Sequence, residues 1–291
     1  PYEPESVPEE DVEKVITRLR DSQALAEPVE RAAENGDLVA YFQPKVDLTD
    51  GRLVGAEALV RWRHPEQGLI PPGRFIPVAE ASGLIVALGN WMLKAVCRQL
   101  AAWREAGLPP LSVAVNLEAR HFRDPECPQH ICDLLAAHGL GSDALELELT
   151  ESSLLDASTQ TTDTLLALQQ LGIGLAIDDF GTGYSSLSYL KRLPITALKI
   201  DQTFVRDLVV DSDDRILAAT IVNLGHSLGL KVVAEGVETE EQRQILIDQG
   251  CDFAQGYLFG RPMPADQFAE WVRDRLAEPL TRIAELHPAT K

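Results

Sequence analysis

Glu57, Asn116, Glu148, Asp178, Asp179, Lys199, Asp201 and Glu235 are the side chains whose types and spacing could do chemistry in this sequence. Apart from the lysine they are carboxylates and one amide, with no His or Cys among them. Hard oxygen donors of this kind favour Mg²⁺ or Mn²⁺ over Zn²⁺. The adjacent pair Asp178-Asp179 is the sharpest signal. Two neighbouring carboxylates repel each other, so holding both ionised in one place is costly unless a cation lies between or beside them. Five or more carboxylates supply donors for two cations rather than one. Plainer readings exist for each residue. Asp178 or Asp179 could cap the next helix, and Lys199 with Asp201 could be an i, i+2 ion pair on one strand face. Glu238 could be a first-turn charge favoured by a helix dipole, and Glu151 before Ser152 could be capping chemistry.

The elements that must position these groups are strands. Leu38 to Leu48 and Leu53 to Trp62 read as two strands joined through Thr49-Asp50-Gly51-Arg52, where Asp-Gly marks a tight hairpin. The first two strands are therefore expected to be antiparallel. Pro71 and Pro72 punctuate a long loop, and Ser82 to Ala106 gives one or two amphipathic helices closed by Gly107 and Pro109. Strand-like runs then recur at Ser112 to Leu117, Leu145 to Thr150, Leu175 to Phe180, Ala197 to Asp201, Lys231 to Gly236 and Phe253 to Phe259, alternating with helical segments. Eight strands alternating with helices over roughly 250 residues indicate an α/β fold, a modified (β/α)8 TIM-type barrel with the first strand antiparallel to the rest. A doubly wound open sheet is the other architecture this rhythm allows. In a barrel the C-terminal strand ends face the ligand. Those ends carry Glu57 with Arg61 beyond it, Asn116, Glu148 with Glu151 just past it, Asp178 and Asp179, Lys199 and Asp201, Glu235 then Glu238, and Gln255. Charged groups in strands are expensive to bury unless paired or metal-bound, so polar ends on seven consecutive strands point to one site. Gly181 and Gly183 follow the Asp pair, where a chain leaving its strand sharply needs residues that tolerate positive φ.

Composition sets outer bounds. The 291 residues are 45% hydrophobic, enough for a large core, and carry a formal charge of −19, which argues against a surface built for a nucleic-acid polymer. A small anion held through metals stays allowed. No apolar run approaches the roughly 18 residues that span a bilayer and no signal peptide begins the chain, so the expected location is the cytoplasm. The chain starts at Pro1 rather than Met, and the expectation is a piece of a longer polypeptide whose missing segments could anchor it to a membrane. Residues 1–25 read as a linker or lead-in helix, 26–278 as the barrel and 279–291 as a tail. Cys97, Cys127, Cys132 and Cys251 show no paired spacing, and with His121, His130 and His138 they match no zinc template, so reduced thiols are expected.

These residues resemble the EAL-domain cyclic di-GMP phosphodiesterases. The likeness rests on Glu57-Ala58-Leu59-Val60-Arg61-Trp62, Tyr41-Phe42-Gln43-Pro44, Asn116 and Glu148-Leu149-Thr150-Glu151. It continues through the run from Asp178 to Ser186, Lys199-Ile200-Asp201, Ala234-Glu235-Gly236-Val237-Glu238 and Gln255-Gly256-Tyr257. It covers about residues 20 to 275, and motifs at this many sites in one order are far more specific than a tripeptide. The resemblance implies hydrolysis of cyclic di-GMP to linear pGpG by two Mg²⁺ or Mn²⁺ ions, with Ca²⁺ inhibiting. Glu57, Asn116, Glu148 and Asp178 would ligate one ion, and Asp178, Asp179 and Glu235 the other. Lys199 would orient or help deprotonate the attacking water, with Asp201 beside it, and Glu57 and Glu235 belong to the same catalytic set. Gln43, Leu59, Arg61, Glu238 and Gln255 match dinucleotide contacts, as Asn116 and Asp201 do from the metal rim. Glu151 would anchor the glycine loop, which couples the site to a homodimer through nearby helices. N-terminal sensory or other signalling domains are the expected neighbours. Two positions depart from the pattern: Phe42, where a second aromatic or a histidine is usual, and Lys45, where an apolar residue is common.

Two rivals define what must be tested. A receptor that binds cyclic di-GMP without cutting it usually lacks a metal ligand, whereas every ligand and the lysine are present here. An enolase-like barrel would use a strand-end lysine to abstract a carbon-bound proton, which the adjacent Asp pair argues against.

Overall fold

A computed structural model describes residues 32, 35–154, 159–183 and 190–277. The expected lead-in helix, the tail and Tyr184 to Ser186 of the glycine loop lie outside the described residues. The described residues form two compact units, those within 40–59 and 92–291 and those within 1–39 and 60–91.

The larger unit holds the barrel. Its strands are β1 (Leu38–Asp47), β2 (Leu53–His64), β4 (Val113–Asn116), β5 (Leu145–Thr150), β6 (Gly174–Phe180), β7 (Ala197–Ile200), β8 (Lys231–Ala234) and β9 (Phe253–Gln255), β1 and β2 each also contributing residues to the smaller unit. They run in the order β1-β9-β8-β7-β6-β5-β4-β2, and pairing of β2 with β1 closes the ring. All neighbours from β2 through β4 to β9 are parallel, while β1 meets β9 antiparallel, Lys45 opposite Gln255. The reversed first strand is as expected. Within β6 the run from Leu175 to Asp178 is wholly buried, the near-continuous pattern of a parallel strand covered on both faces.

The helices are α1 (Pro72–Ser82), α2 (Ile85–Glu105), α3 (Cys127–Ala137), α4 (Glu151–Leu154), α5 (Thr159–Gln170), α6 (Gln202–Arg206), α7 (Ser212–Ser227), α8 (Glu240–Asp248) and α9 (Ala265–Ala277). Their starts follow local chemistry. Asp211 accepts from the Asp213 N–H at 2.7 Å at the head of α7, and Thr239 forms a reciprocal capping box with Gln242 at the head of α8. Phe42, Trp103 and Phe268 pack their rings 4.7–6.0 Å apart in the larger unit's core. No described helix is long and apolar enough to cross a membrane.

In the smaller unit the end of β2 pairs antiparallel with β3 (Gly68–Ile70), and the Trp62 ring stands edge-on to Phe75 of α1, 6.0 Å between centroids.

Several boundaries differ from the sequence reading. Pro71-Pro72 opens a helix rather than extending a loop, because Pro72 sits in the first turn, where its missing N–H has no partner to lose. Gly83, at φ 80°, ends that helix, so the expected Ser82 to Ala106 segment is the second of two. The eighth strand stops at Gln255 instead of Phe259. There the backbone turns against the loop after β8, with Val237 N–H donating to the Gln255 carbonyl and Leu258 N–H to that of Val237. A Cβ on Gly256 would lie 2.1 Å from the Val237 oxygen, so only glycine allows this approach. The short strands β3 and β10 (Met263–Pro264) were not anticipated.

Candidate metal centre

Lys199 is the hub. It projects from β7 and is 1% exposed, and its Nζ lies 2.7 Å from Glu148, 2.7 Å from Glu235, 3.1 Å from Asp178 and 3.4 Å from Glu57. Burial by itself would strip its proton, but the four surrounding carboxylates prevail and hold the ammonium well above its ordinary pKa. The four acids come from β2, β5, β6 and the residue after β8, and the barrel brings them together around one lysine.

Around the ammonium the acids fall into two overlapping groups whose ligand atoms lie within 4.8 Å of one another: Glu57, Glu148 and Asp178, and Asp178, Asp179 and Glu235. Among the described residues these are the groups of this kind. All four cysteines are free, and burial pushes the Cys251 thiol up to about 12.

The two Asp side chains share the site because the backbone breaks its alternation. Successive residues of a strand point to opposite faces. Asp179 has φ 54°, the one positive value at a non-glycine among the described residues, and the β6–β7 register shifts between Ile177 and Phe180. A bulge of this kind re-aims one side chain. The Asp179 N–H donates to Asp178 Oδ1 at 3.0 Å, and the loop beyond is tied back by Thr182, whose hydroxyl donates to the Asp179 carbonyl at 2.8 Å.

One ammonium does not neutralise the cluster. Burial first, then its acidic neighbours, push Glu148 well above the usual carboxylate range despite Lys199, and Glu235 is pushed up to about 8 in the same way. Asp179 rises to about 6, from burial, the Asp178 charge and a hydrogen-bonding contact with Asp201. In Glu57 burial is outweighed by Lys199 and by donors from Gln255 and Asn116, so its pKa is lowered. The Glu148 Oε1 atom is buried with no hydrogen-bond partner. An all-oxygen donor set, excess negative charge and an orphaned carboxylate oxygen fit hard divalent cations.

The remaining expected residues divide. Asn116 donates Nδ2 to Glu57 Oε1 at 2.6 Å, which leaves its Oδ1 as an acceptor that could serve as a ligand. Gln255 Nε2 donates to Glu57 Oε2 at 2.6 Å and to Glu235 Oε1 at 2.8 Å. Asp201 caps α6, accepting from Thr203 N–H at 2.8 Å, while touching Asp179. Glu151 is buried, and its Oε2 accepts from Gly181 N–H at 2.9 Å and Gly183 N–H at 3.3 Å. Gln43 is buried with Nε2 on the Gly260 carbonyl at 3.1 Å, and Leu59 is half-buried on β2. Glu238 is exposed, its backbone N–H held by Gln242. Arg61 belongs to the smaller unit, where its Nη1 donates to the Val60 carbonyl at 2.9 Å. Sequence reasoning missed the pairing of buried Lys45 with Glu146, 2.5 Å apart, two residues before Glu148 on β5. The signal was a lysine inside an apolar strand with a glutamate in step with Glu148.

A family model described as the EAL domain matches residues 26–262. The chain belongs to the EAL-domain family. The bifunctional diguanylate cyclase/cyclic di-GMP phosphodiesterase MucR of Pseudomonas aeruginosa is 47% identical over 243 residues, covering 84% of this chain and 36% of the relative. The cyclic di-GMP phosphodiesterase NbdA of the same organism is 42% identical over 260 residues, 89% of this chain and 33% of the relative. This EAL domain thus spans about a third of the length of these curated relatives. The solved phosphodiesterase of PaMucR in complex with c-di-GMP superposes with a TM-score of 0.80 at 46% identity, covering 84% of this chain and 99% of that one. The EAL domain of Mycobacterium smegmatis DcpA gives 0.71 at 32% identity, over 81% and 98%.

Proposed function

We propose that this EAL domain hydrolyses cyclic di-GMP to linear pGpG with two Mg²⁺ or Mn²⁺ ions. The observation that carries the reading is the pair of carboxylate triads sharing Asp178 around buried Lys199. Glu57, Asn116, Glu148 and Asp178 would hold one ion, and Asp178, Asp179 and Glu235 the other. Bound cations supply Lewis acidity toward the phosphodiester and a water acidic enough to attack near neutral pH. The residues do the rest. Lys199 stays protonated, orients the water and offsets charge on the phosphoryl oxygens, with Asp201 alongside. Gln43, Leu59 and Glu238 face the nucleotide. Ca²⁺ inhibits because a larger, loosely coordinated ion fits the required geometry poorly.

The alternative is a receptor that binds without cutting. The deciding experiment incubates the protein with cyclic di-GMP and Mg²⁺ or Mn²⁺ and separates products by chromatography. A pGpG peak that chelator abolishes is expected; ligand bound with no pGpG leaves the receptor reading.

The same chain forms a homodimer in this proposal. Val209, Val210, Ile216 and Leu217 are exposed apolar side chains where α6 leads into α7. A Cβ on Gly181 would meet Phe204 of α6 at 2.8 Å and Ile221 of α7 at 3.2 Å, so the glycine loop rests on the helices that carry this patch. Upstream signalling domains would act through that contact.

A further inference from the structure

We propose that Gln255 is a positioning residue that yokes the two halves of the acidic centre, rather than a contact for the dinucleotide; the inference rests on the two-cation reading above. Its amide Nε2 carries two hydrogens, and both are used. One goes to Glu57 Oε2 at 2.6 Å, the other to Glu235 Oε1 at 2.8 Å. Glu57 belongs to one triad and Glu235 to the other. Among the described residues, Asp178 and Lys199 also touch both sets, the first as a shared member and the second as a cation.

The orientation of the amide is dictated by its neighbours. A flipped amide would set Oε1 against two carboxylate oxygens, acceptor against acceptor, so the nitrogen must face them. Oε1 then points away, buried and without a hydrogen-bond partner. The support behind the amide is rigid. Gln255 ends β9, its carbonyl accepts from Val237 N–H at 3.1 Å, and that loop lies so near Gly256 that a Cβ there would be 2.1 Å from the Val237 oxygen. A side chain fixed at both ends in this way sets the separation of Glu57 and Glu235 before any ligand arrives. Partners of ligating carboxylates typically change metal affinity about 10- to 100-fold when removed.

The test uses the 291-residue chain and Mn²⁺ alone. Wild type and Gln255→Met are titrated by calorimetry, and the electron paramagnetic resonance of the loaded proteins is recorded for Mn–Mn coupling. The expected result for Gln255→Met is Mn²⁺ affinity weakened about 10- to 100-fold, with the coupled signal lost at occupancies where wild type shows it. KM for cyclic di-GMP at saturating Mn²⁺ stays within about threefold while kcat falls, since placement of the carboxylates and not substrate contact has been lost. A variant with unchanged Mn²⁺ affinity and coupling but a tenfold higher KM overturns the proposal and makes Gln255 a substrate contact. If wild type takes up fewer than two Mn²⁺, the two-cation reading falls and this inference with it, a result visible before any variant is compared. Gln255→Asn guards against misfolding: it keeps the amide but is one methylene too short to reach both carboxylates, and unweakened Mn²⁺ binding by a folded Gln255→Asn would equally overturn the yoke.

Discussion

Replacing Lys199 by Met keeps most of the side-chain volume and removes the one buried cation from the acidic centre. Glu57, Glu148, Asp178 and Glu235 all lie within 3.4 Å of the ammonium, and Glu57 and Glu148 are almost fully buried. Breaking a buried pair by removing one partner costs about 3–5 kcal/mol, because the remaining charge is left uncompensated. Here several remain, and partial protonation of Glu148 and Glu235 relieves some of the repulsion, so the same range is a fair figure for the cluster. For a chain of this size each kcal/mol moves the melting midpoint roughly 2–4 °C, giving a loss of about 6–20 °C in chelator. Added Mn²⁺ should restore much of it, since a ligand bound only by the folded state at a hundredfold excess over its Kd contributes about 2.7 kcal/mol. The assay is thermal unfolding followed by circular dichroism, with EDTA and with Mn²⁺, for wild type and Lys199→Met. A midpoint in EDTA within 2 °C of wild type would refute Lys199 as the counter-ion of the cluster. Turnover should collapse in the variant at saturating Mn²⁺ while Mn²⁺ still binds, and unchanged kcat would show that its role has been misassigned.

The acids predict a pH dependence of the metal-free protein. Glu235, raised to about 8, and Asp179, raised to about 6, bind protons more tightly folded than unfolded, so stability in chelator falls as pH rises from about 4 to 8. Saturating Mn²⁺ should reverse that slope because ligation needs the deprotonated acids; a flat profile in chelator would contradict the raised values. Glu151→Ala removes the acceptor for Gly181 and Gly183 N–H, costing about 1–3 kcal/mol, and should lower kcat at least tenfold with Mn²⁺ affinity little changed. Equal kcat would leave the loop with no part in turnover. Ile216→Glu with Leu217→Glu places charge on the exposed patch and should give a monomer by light scattering; a dimer unmoved by both changes lies elsewhere.

Much of the site was legible because the barrel turns linear order into a ring. Once strands are recognised by their apolar runs, the polar groups toward one rim must meet, and Glu57, Glu148, Asp178 and Glu235 all come within 3.4 Å of the Lys199 ammonium. What sequence could not show was set by contacts distant along the chain. Gln255 looks like any strand-end amide until Glu57 and Glu235 are both found on its nitrogen. Pro71-Pro72 suggests a break, and only the fold shows Pro72 inside a first turn. The eighth strand is cut short by the Val237 backbone, which no local pattern announces. Lys45 reads as a departure until Glu146, from a strand a hundred residues on, is found beside it.

The positive φ at Asp179 carries a lesson for transplanting this chemistry. A regular strand offers its tip one inward group for every two residues, so copying Asp178-Asp179 onto a straight strand of another barrel would send the second carboxylate into the surrounding helices. The portable unit is therefore the bulge together with the Thr182 tether and the Glu151 clasp on the glycines, a piece of backbone shape rather than a dipeptide. An Asp tolerates this left-handed conformation better than most side chains, so the residue proposed to bind is also one of the few that can sit there.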